Sequence, residues 1–165
     1  MSNKRKSRFR NYVKHPRYGD KPVYSGLEVA IEDILSSHWS YKRESIFPES
    51  AVKADISKQN YSMFPRQYYV DIEKVCTQCG RWFLFYAQEQ KYWYEELQFY
   101  IDADCIKCIE CRKSDQAVKA MILRYEVLVK KADKNEEEKN ELKNIALELF
   151  KQGYIKNVNK IGGHC

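Results

Sequence analysis

CTQCGRWFLFYAQEQKYWYEELQFYIDADCIKCIEC, residues 76–111, opens and closes on a CxxC pair, Cys76 with Cys79 and Cys108 with Cys111. That spacing lets a backbone wrap one side of a metal, and two such pairs complete a tetrahedron of four thiolate sulfurs. The stretch therefore predicts one structural Zn2+ held by Cys76, Cys79, Cys108 and Cys111. A catalytic zinc keeps a position open for water; a four-thiolate site is full. The 28 residues between the pairs suffice for a hairpin and a short helix. Gly80 follows the first pair, where a knuckle turn needs positive φ. Cys111 runs directly into a helical pattern, so the second pair belongs at a helix start, where the positive dipole end favours thiolates.

Cys105 extends the second pair to CxxCxxC, a run that iron–sulfur proteins also use. A four-thiolate iron site of rubredoxin type, serving an electron carrier, fits the two pairs as well. The run lacks the Cys-Pro that follows in the bacterial ferredoxin pattern, and the first pair completes four ligands without Cys105, which reads more simply as a buried small apolar side chain. Cys165 reads as an exposed thiol. Disulfides are the competing reading for all six cysteines. Met1 to Arg10 is polar and basic with no apolar core of a secretory signal, so the expectation is a reducing, cytoplasmic setting and metal ligation. The longest apolar run, Trp82 to Ala87, is too short to span a bilayer, and no membrane partner is expected.

Outside the stretch, charge is uneven. Met1 to Lys21 carries Lys4, Arg5, Lys6, Arg8, Arg10, Lys14, Arg17 and Lys21 against Asp20 alone, a net +7, whereas the remainder of this +6 chain sums to −1. With Phe9, Tyr12 and Tyr18 interleaved, such an arm suits phosphate contact and base stacking, RNA before duplex DNA, with Lys4, Arg5, Lys6, Arg8, Arg10, Lys14 and Arg17 as the contact residues. A solubilising terminus is the plainer alternative.

Ser25 to Trp39 reads as a helix: Ser25 and Glu28 form a capping-box pattern, and Leu27, Ala30, Ile31, Ile34 and Leu35 share a stripe with His38, a packed histidine rather than a ligand. Residues 40–66, broken by Pro48 and Pro65, read as loops with one helical turn near Glu49 to Asp55. Tyr69 to Val75 and Trp82 to Tyr86 read as the two arms of a hairpin around the first knuckle. Gln88 to Gln98 reads as a short helix and Phe99 to Ala103 as an extended return. Thirteen of the 23 aromatics lie between Tyr61 and Tyr100, which predicts a small core of large side chains around the metal. Beyond it, Val118, Met121, Ile122, Tyr125, Leu128 and Val129 mark one amphipathic helix. Asn135, with Glu138 three residues on, caps a second, whose stripe is Leu142, Ile145, Ala146, Leu149 and Phe150 and which Gly153 ends. Joined by a short turn, the two should pack antiparallel.

The segment CTQCGRWFLFYAQEQKYWYEE with CIECRK resembles the bacterial probable zinc-ribbon domain family, in which a CxxCG knuckle, an aromatic strand, an EQ-x-x-W helix start (Glu89, Gln90, Trp93) and a CxxCR close recur. The upstream HPRYGDKPVYSGL resembles sequence that accompanies that domain. The resemblance covers residues 11–27 and 71–113 and implies a zinc ribbon or treble clef with the same four cysteines as ligands; it adds little about activity.

The sequence thus predicts an α+β chain. Residues 1–24 form a basic, partly extended arm, 25–66 a helix and irregular connector, 67–113 the zinc module, 114–154 a helical hairpin and 155–165 a tail. Its histidines, His15, His38 and His164, show no hydrolytic pairing, and there is no phosphate loop or nucleophile elbow, so a non-enzymatic protein is expected. Nucleic acid is the expected partner, with a protein docked on the helical hairpin as the alternative.

Overall fold

A computed structural model of the protein describes residues 11–156. The architecture is mixed α+β: a three-stranded antiparallel sheet and four α-helices. The chain divides into two units, the first ending at Cys111 and the second beginning at Arg112.

In the first unit the sheet order is β1-β2-β3, with β1 at Ile46–Lys53, β2 at Tyr68–Val75 and β3 at Trp82–Phe85. β2 and β3 form the hairpin read from the sequence, in register from Ile72 opposite Phe85 to Val75 opposite Trp82. As the central strand, β2 is buried over Tyr69–Glu73 on both faces, with Tyr69, Val70 and Ile72 fully inside. Phe85 and Tyr94 join them, so the aromatic-rich interval does build the core.

β1 corrects the sequence reading, which had loops and a helical turn there. Its register breaks between Phe47 and Val52 in a bulge that contains Pro48. A bulged edge strand tolerates proline because no ladder bond is required of its missing N–H. Ser50 repairs the ladder: its Oγ donates to the Phe47 carbonyl at 2.6 Å and accepts the Asp71 N–H at 2.6 Å. Side-chain pairing of this kind has no period, which is why the strand was hidden.

The first helix is also corrected. α1 spans only Ile31–Ser37. The Ser25 N–H is taken by the Glu49 carbonyl in the bulge at 3.0 Å, and Gly26 adopts φ +76°, so the residues meant to cap and start the helix are irregular instead. Ala30 precedes the helix without a side-chain cap. The C-terminal part of the apolar stripe holds: Ile34 and His38 are fully buried, and Leu27 is exposed.

α2, Ala87–Lys91, passes into one π-helical turn over Tyr92–Glu96, and Phe99 to Ala103 returns through a single parallel bridge, Asn60 with Tyr100. α3, Ile109–Lys130, starts at the second cysteine pair and continues into the second unit.

There α3 is followed by α4, Glu136–Lys151. The capping box forms as read: Asn135 Oδ1 accepts the Glu138 N–H at 2.8 Å and Glu138 accepts the Asn135 N–H at 3.1 Å. Arg124 pairs with Glu141 and Lys131 with Glu138, so advancing along α3 means retreating along α4, the signature of an antiparallel hairpin. Leu128, Leu142, Ala146 and Leu149 are buried as the stripes require, whereas Phe150 is exposed. No helix among the described residues is long and apolar enough to cross a membrane.

Candidate metal centre

The first knuckle is made by closing β2 onto β3. The Cys76 N–H donates to the Arg81 carbonyl at 2.9 Å, the Gly80 N–H donates to the Cys76 carbonyl at 2.9 Å, and Gly80 sits at φ +70°, where a side-chain-bearing residue is strained. Cys76 and Cys79 thus leave the strand end on one side of a tight loop. The second knuckle arrives on the loop after Ala103. Asp104 fastens that loop by accepting from Tyr41 Oη at 2.8 Å and pairing with Lys74 of β2. Burial raises the Asp104 pKa, but the bonds from Lys74 and Tyr41 outweigh it and hold the carboxyl below the ordinary range. The Ile106 carbonyl accepts the Thr77 N–H at 3.0 Å, stitching one knuckle to the other. Cys108 immediately precedes α3 and Cys111 lies in its first turn.

These elements bring the Sγ atoms of Cys76, Cys79, Cys108 and Cys111 within 4.8 Å of one another, with Cys79 and Cys108 3.8 Å apart. A tetrahedral ion with Zn–S bonds of about 2.3 Å needs sulfur–sulfur edges of about 3.8 Å, so the donors fit one metal ion. None of the four is in a disulfide, and 3.8 Å is far beyond the roughly 2.0 Å of a sulfur–sulfur bond. Cys79 is exposed and the other three are buried. Cys105, also buried, is outside the set of four; its thiol donates to the Lys107 carbonyl at 3.4 Å.

The polypeptide prepares the site unequally. Burial raises Cys76, but the N–H groups of Cys108, Cys79 and Gln78 pull it to about 6. Cys79 is lowered by the Arg81 backbone N–H and guanidinium. Cys108 is raised by burial, and Cys111 is pushed up to about 12 by burial and by the neighbouring thiols. Without a cation, four thiolates cannot crowd together; a divalent ion relieves that conflict, and its binding must release protons. Arg81, which the sequence reading passed over, places its Nε 3.5 Å from Cys79 Sγ and pairs with Glu110 in the first turn of α3. Its position directly after CxxCG was the available signal.

Of the basic residues proposed for nucleic acid, Lys14 and Arg17 are exposed, and Lys4, Arg5, Lys6, Arg8 and Arg10 lie outside the described residues. Tyr12 and Tyr18, read as interleaved aromatics of the basic arm, both make contacts within the first unit. Tyr12 Oη donates to Glu73 at 3.1 Å, and Tyr18 stacks on His15 with ring centroids 4.7 Å apart. These contacts accompany the binding of this segment to the sheet. Val13 N–H donates to the Trp82 carbonyl at 2.8 Å, Tyr86 Oη to the Gly19 carbonyl at 2.8 Å, and Val23 N–H to Asp71 at 2.7 Å.

A strand hairpin and a following helix that together present four thiols define a treble clef. Residues 70–120 match the family described as Probable treble clef domain, which upholds the resemblance over that span and does not extend it to residues 11–27. The donor set is that of a treble clef zinc site holding one ion. Searches of curated proteins and of solved structures found no match.

Proposed function

We propose that this is a non-enzymatic protein in which a structural zinc braces a surface for nucleic acid, RNA or another single strand. The supporting observation is the concentration of charge: +7 within 21 residues of a chain whose remainder sums to −1. The described part of that segment, with Lys14 and Arg17 exposed, is hydrogen-bonded to the sheet that ends in the first zinc knuckle. A basic segment so fixed presents phosphate-binding charge from a rigid base. Catalysis has no place in the reading, because four thiolates leave the ion no vacancy for substrate or water.

The test is titration of zinc-loaded protein with labelled single-stranded RNA at several salt concentrations. Affinity should fall steeply with salt, with a logarithmic slope of about −0.7 per phosphate neutralised. Deleting residues 1–21 should remove most of it. Salt-insensitive or absent binding refutes the proposal.

The competing reading is an adaptor that docks a protein on the helical hairpin. It is favoured by exposed Leu123 and Val127, one turn apart on α3. An adaptor would retain its partner after that deletion, whereas a nucleic-acid binder would not.

A further inference from the structure

The first unit carries a second feature, on a surface remote in sequence from the basic arm. Trp39, Met63 and Phe64 are 77%, 75% and 75% exposed. Exposed apolar side chains are informative where they cluster rather than stand singly. They do not stand alone. With Tyr100 they rim a recess of about 250 Å³ whose lining also includes Ser37 and Arg66. Arg66 is only 7% exposed and Ser37 8%. Arg66 Nη1 and Ser37 Oγ are buried with no hydrogen-bonding partner among the described residues. A buried guanidinium nitrogen and a buried hydroxyl left unpaired each cost stability, and both belong to residues that line this recess.

The arginine is held in position. Its backbone N–H donates to Gln59 Oε1 at 3.0 Å, its carbonyl accepts Gln59 Nε2 at 2.8 Å, and its guanidinium lies over the Tyr94 ring, 5.4 Å from the centroid. Among the described residues the acid paired with it is Asp102, at 3.7 Å, beyond hydrogen-bond reach, and the Asp102 side chain is 60% exposed, open to water. An anion can therefore replace it.

We propose that this recess is a nucleotide subsite for single-stranded RNA, with one base stacked on the Trp39 and Phe64 rim and its phosphate drawn to the Arg66 guanidinium. The inference rests on the nucleic-acid reading above and names a specific contact for it. The recess is smaller than the roughly 300–1,000 Å³ of a drug-sized pocket, which suits one planar ring system rather than a folded ligand. Base stacking on aromatic side chains tolerates any sequence, because every base has a π face, and arginine supplies the phosphate contact. An acidic peptide brings a flat ring only where it carries an aromatic residue, whereas every nucleotide has one.

Zinc-loaded full-length protein is titrated with fluorescein-labelled octauridylate and, separately, with unlabelled UMP while tryptophan emission is followed. RNA and UMP should both quench emission, and Trp39→Ala should abolish most of that change. The double variant Trp39→Ala/Phe64→Ala, altered only at exposed side chains, should melt like the wild type and weaken RNA binding about tenfold or more, in keeping with stacking energies per base. Its salt slope should be unchanged, whereas Arg66→Gln, which removes the charge, should reduce the slope. If Arg66→Gln fails to fold, the rim variant still decides. Salt-dependent RNA binding that the rim variant leaves intact overturns the subsite and leaves the basic arm standing. Absence of RNA binding with UMP quenching that Trp39→Ala removes overturns the broader reading and retains a nucleotide site. Quenching by an acidic peptide but by neither RNA nor UMP overturns the subsite in favour of a protein partner.

Discussion

Acidification should weaken this fold through His38, and the size of the effect follows from where the ring sits. His38 caps the end of α1, is 1% exposed, and accepts no solvent; its Nε2 lies 3.0 Å from the Tyr68 carbonyl, to which it donates. Burial, reinforced by the nearby Arg66 guanidinium and only partly opposed by the Tyr68 bond, lowers its pKa from 6.5 to about 3. The unfolded chain therefore takes up a proton below pH 6.5 that the folded chain refuses until about pH 3. Stability from this group is complete above pH 6.5 and is lost as pH falls through that window, by at most about 1.4 kcal/mol per pH unit. Between pH 7.5 and 5 the loss is on the order of 2 kcal/mol. Asp71 acts in the opposite sense. Burial raises its carboxyl from 3.8 to about 6, against the bonds it accepts from Ala87 and Val23. The folded state thus binds that proton more readily, and stability rises by about 1 kcal/mol over the same descent. The two partly cancel, so the wild-type curve alone is ambiguous. His38→Gln, whose amide nitrogen can occupy the place of Nε2, removes one contribution. Urea unfolding of zinc-saturated wild type and variant at pH 7.5 and pH 5 should show the gap between them shrinking by about 2 kcal/mol at the lower pH. Parallel stability curves would refute the assignment of a buried neutral imidazole, and with it the packing described for the end of α1.

Three further outcomes follow from local geometry. Native mass spectrometry should find one zinc per chain; Cys108→Ser or chelation should unfold the first unit, seen as loss of near-ultraviolet dichroism, because a structural zinc contributes on the order of 10 kcal/mol. Retention of that signal without metal would refute a bracing role. Gly80→Ala should cost about 1 kcal/mol and weaken metal retention in a chelator competition: nothing lies within 4 Å of the added methyl, so only the φ of +70° is strained. Asn135→Ala removes half of the capping box and should cost about 1 kcal/mol, read as faster hydrogen exchange in the first turn of α4.

The elements legible in the sequence are those whose signal is local. The CxxC pairs needed only spacing, the β2–β3 hairpin needed only two β-prone runs around a glycine, and α4 declared its own cap in Asn135 and Glu138. What escaped reading depends on partners distant in the chain. Ile46–Lys53 is a strand because Ser50 substitutes for a ladder bond with Asp71, a relation 21 residues away. Ser25 and Glu28 have the letters of a capping box, but Ser25 is claimed by Glu49 and Asp71 draws in Val23, so tertiary bonds override local propensity. The contacts of Tyr12 with Glu73 and of Tyr18 with His15 likewise could not be read from composition. The recess at Trp39, Phe64 and Arg66 joins three segments that no motif connects.

The sheet's small size gives the bulge and the bound N-terminal segment a consequence for behaviour in concentrated solution. Three strands have two outer borders, and a bare border recruits a neighbouring molecule's backbone. Cys76 and Arg81 are hydrogen-bonded across the hairpin, so the adjacent Trp82 carbonyl faces outward, where the Val13 N–H meets it. On the far side, the kink at Pro48 interrupts any continuous template. The fold thereby resists growing into fibrils by strand addition, although it is rich in the β-prone aromatics that feed them.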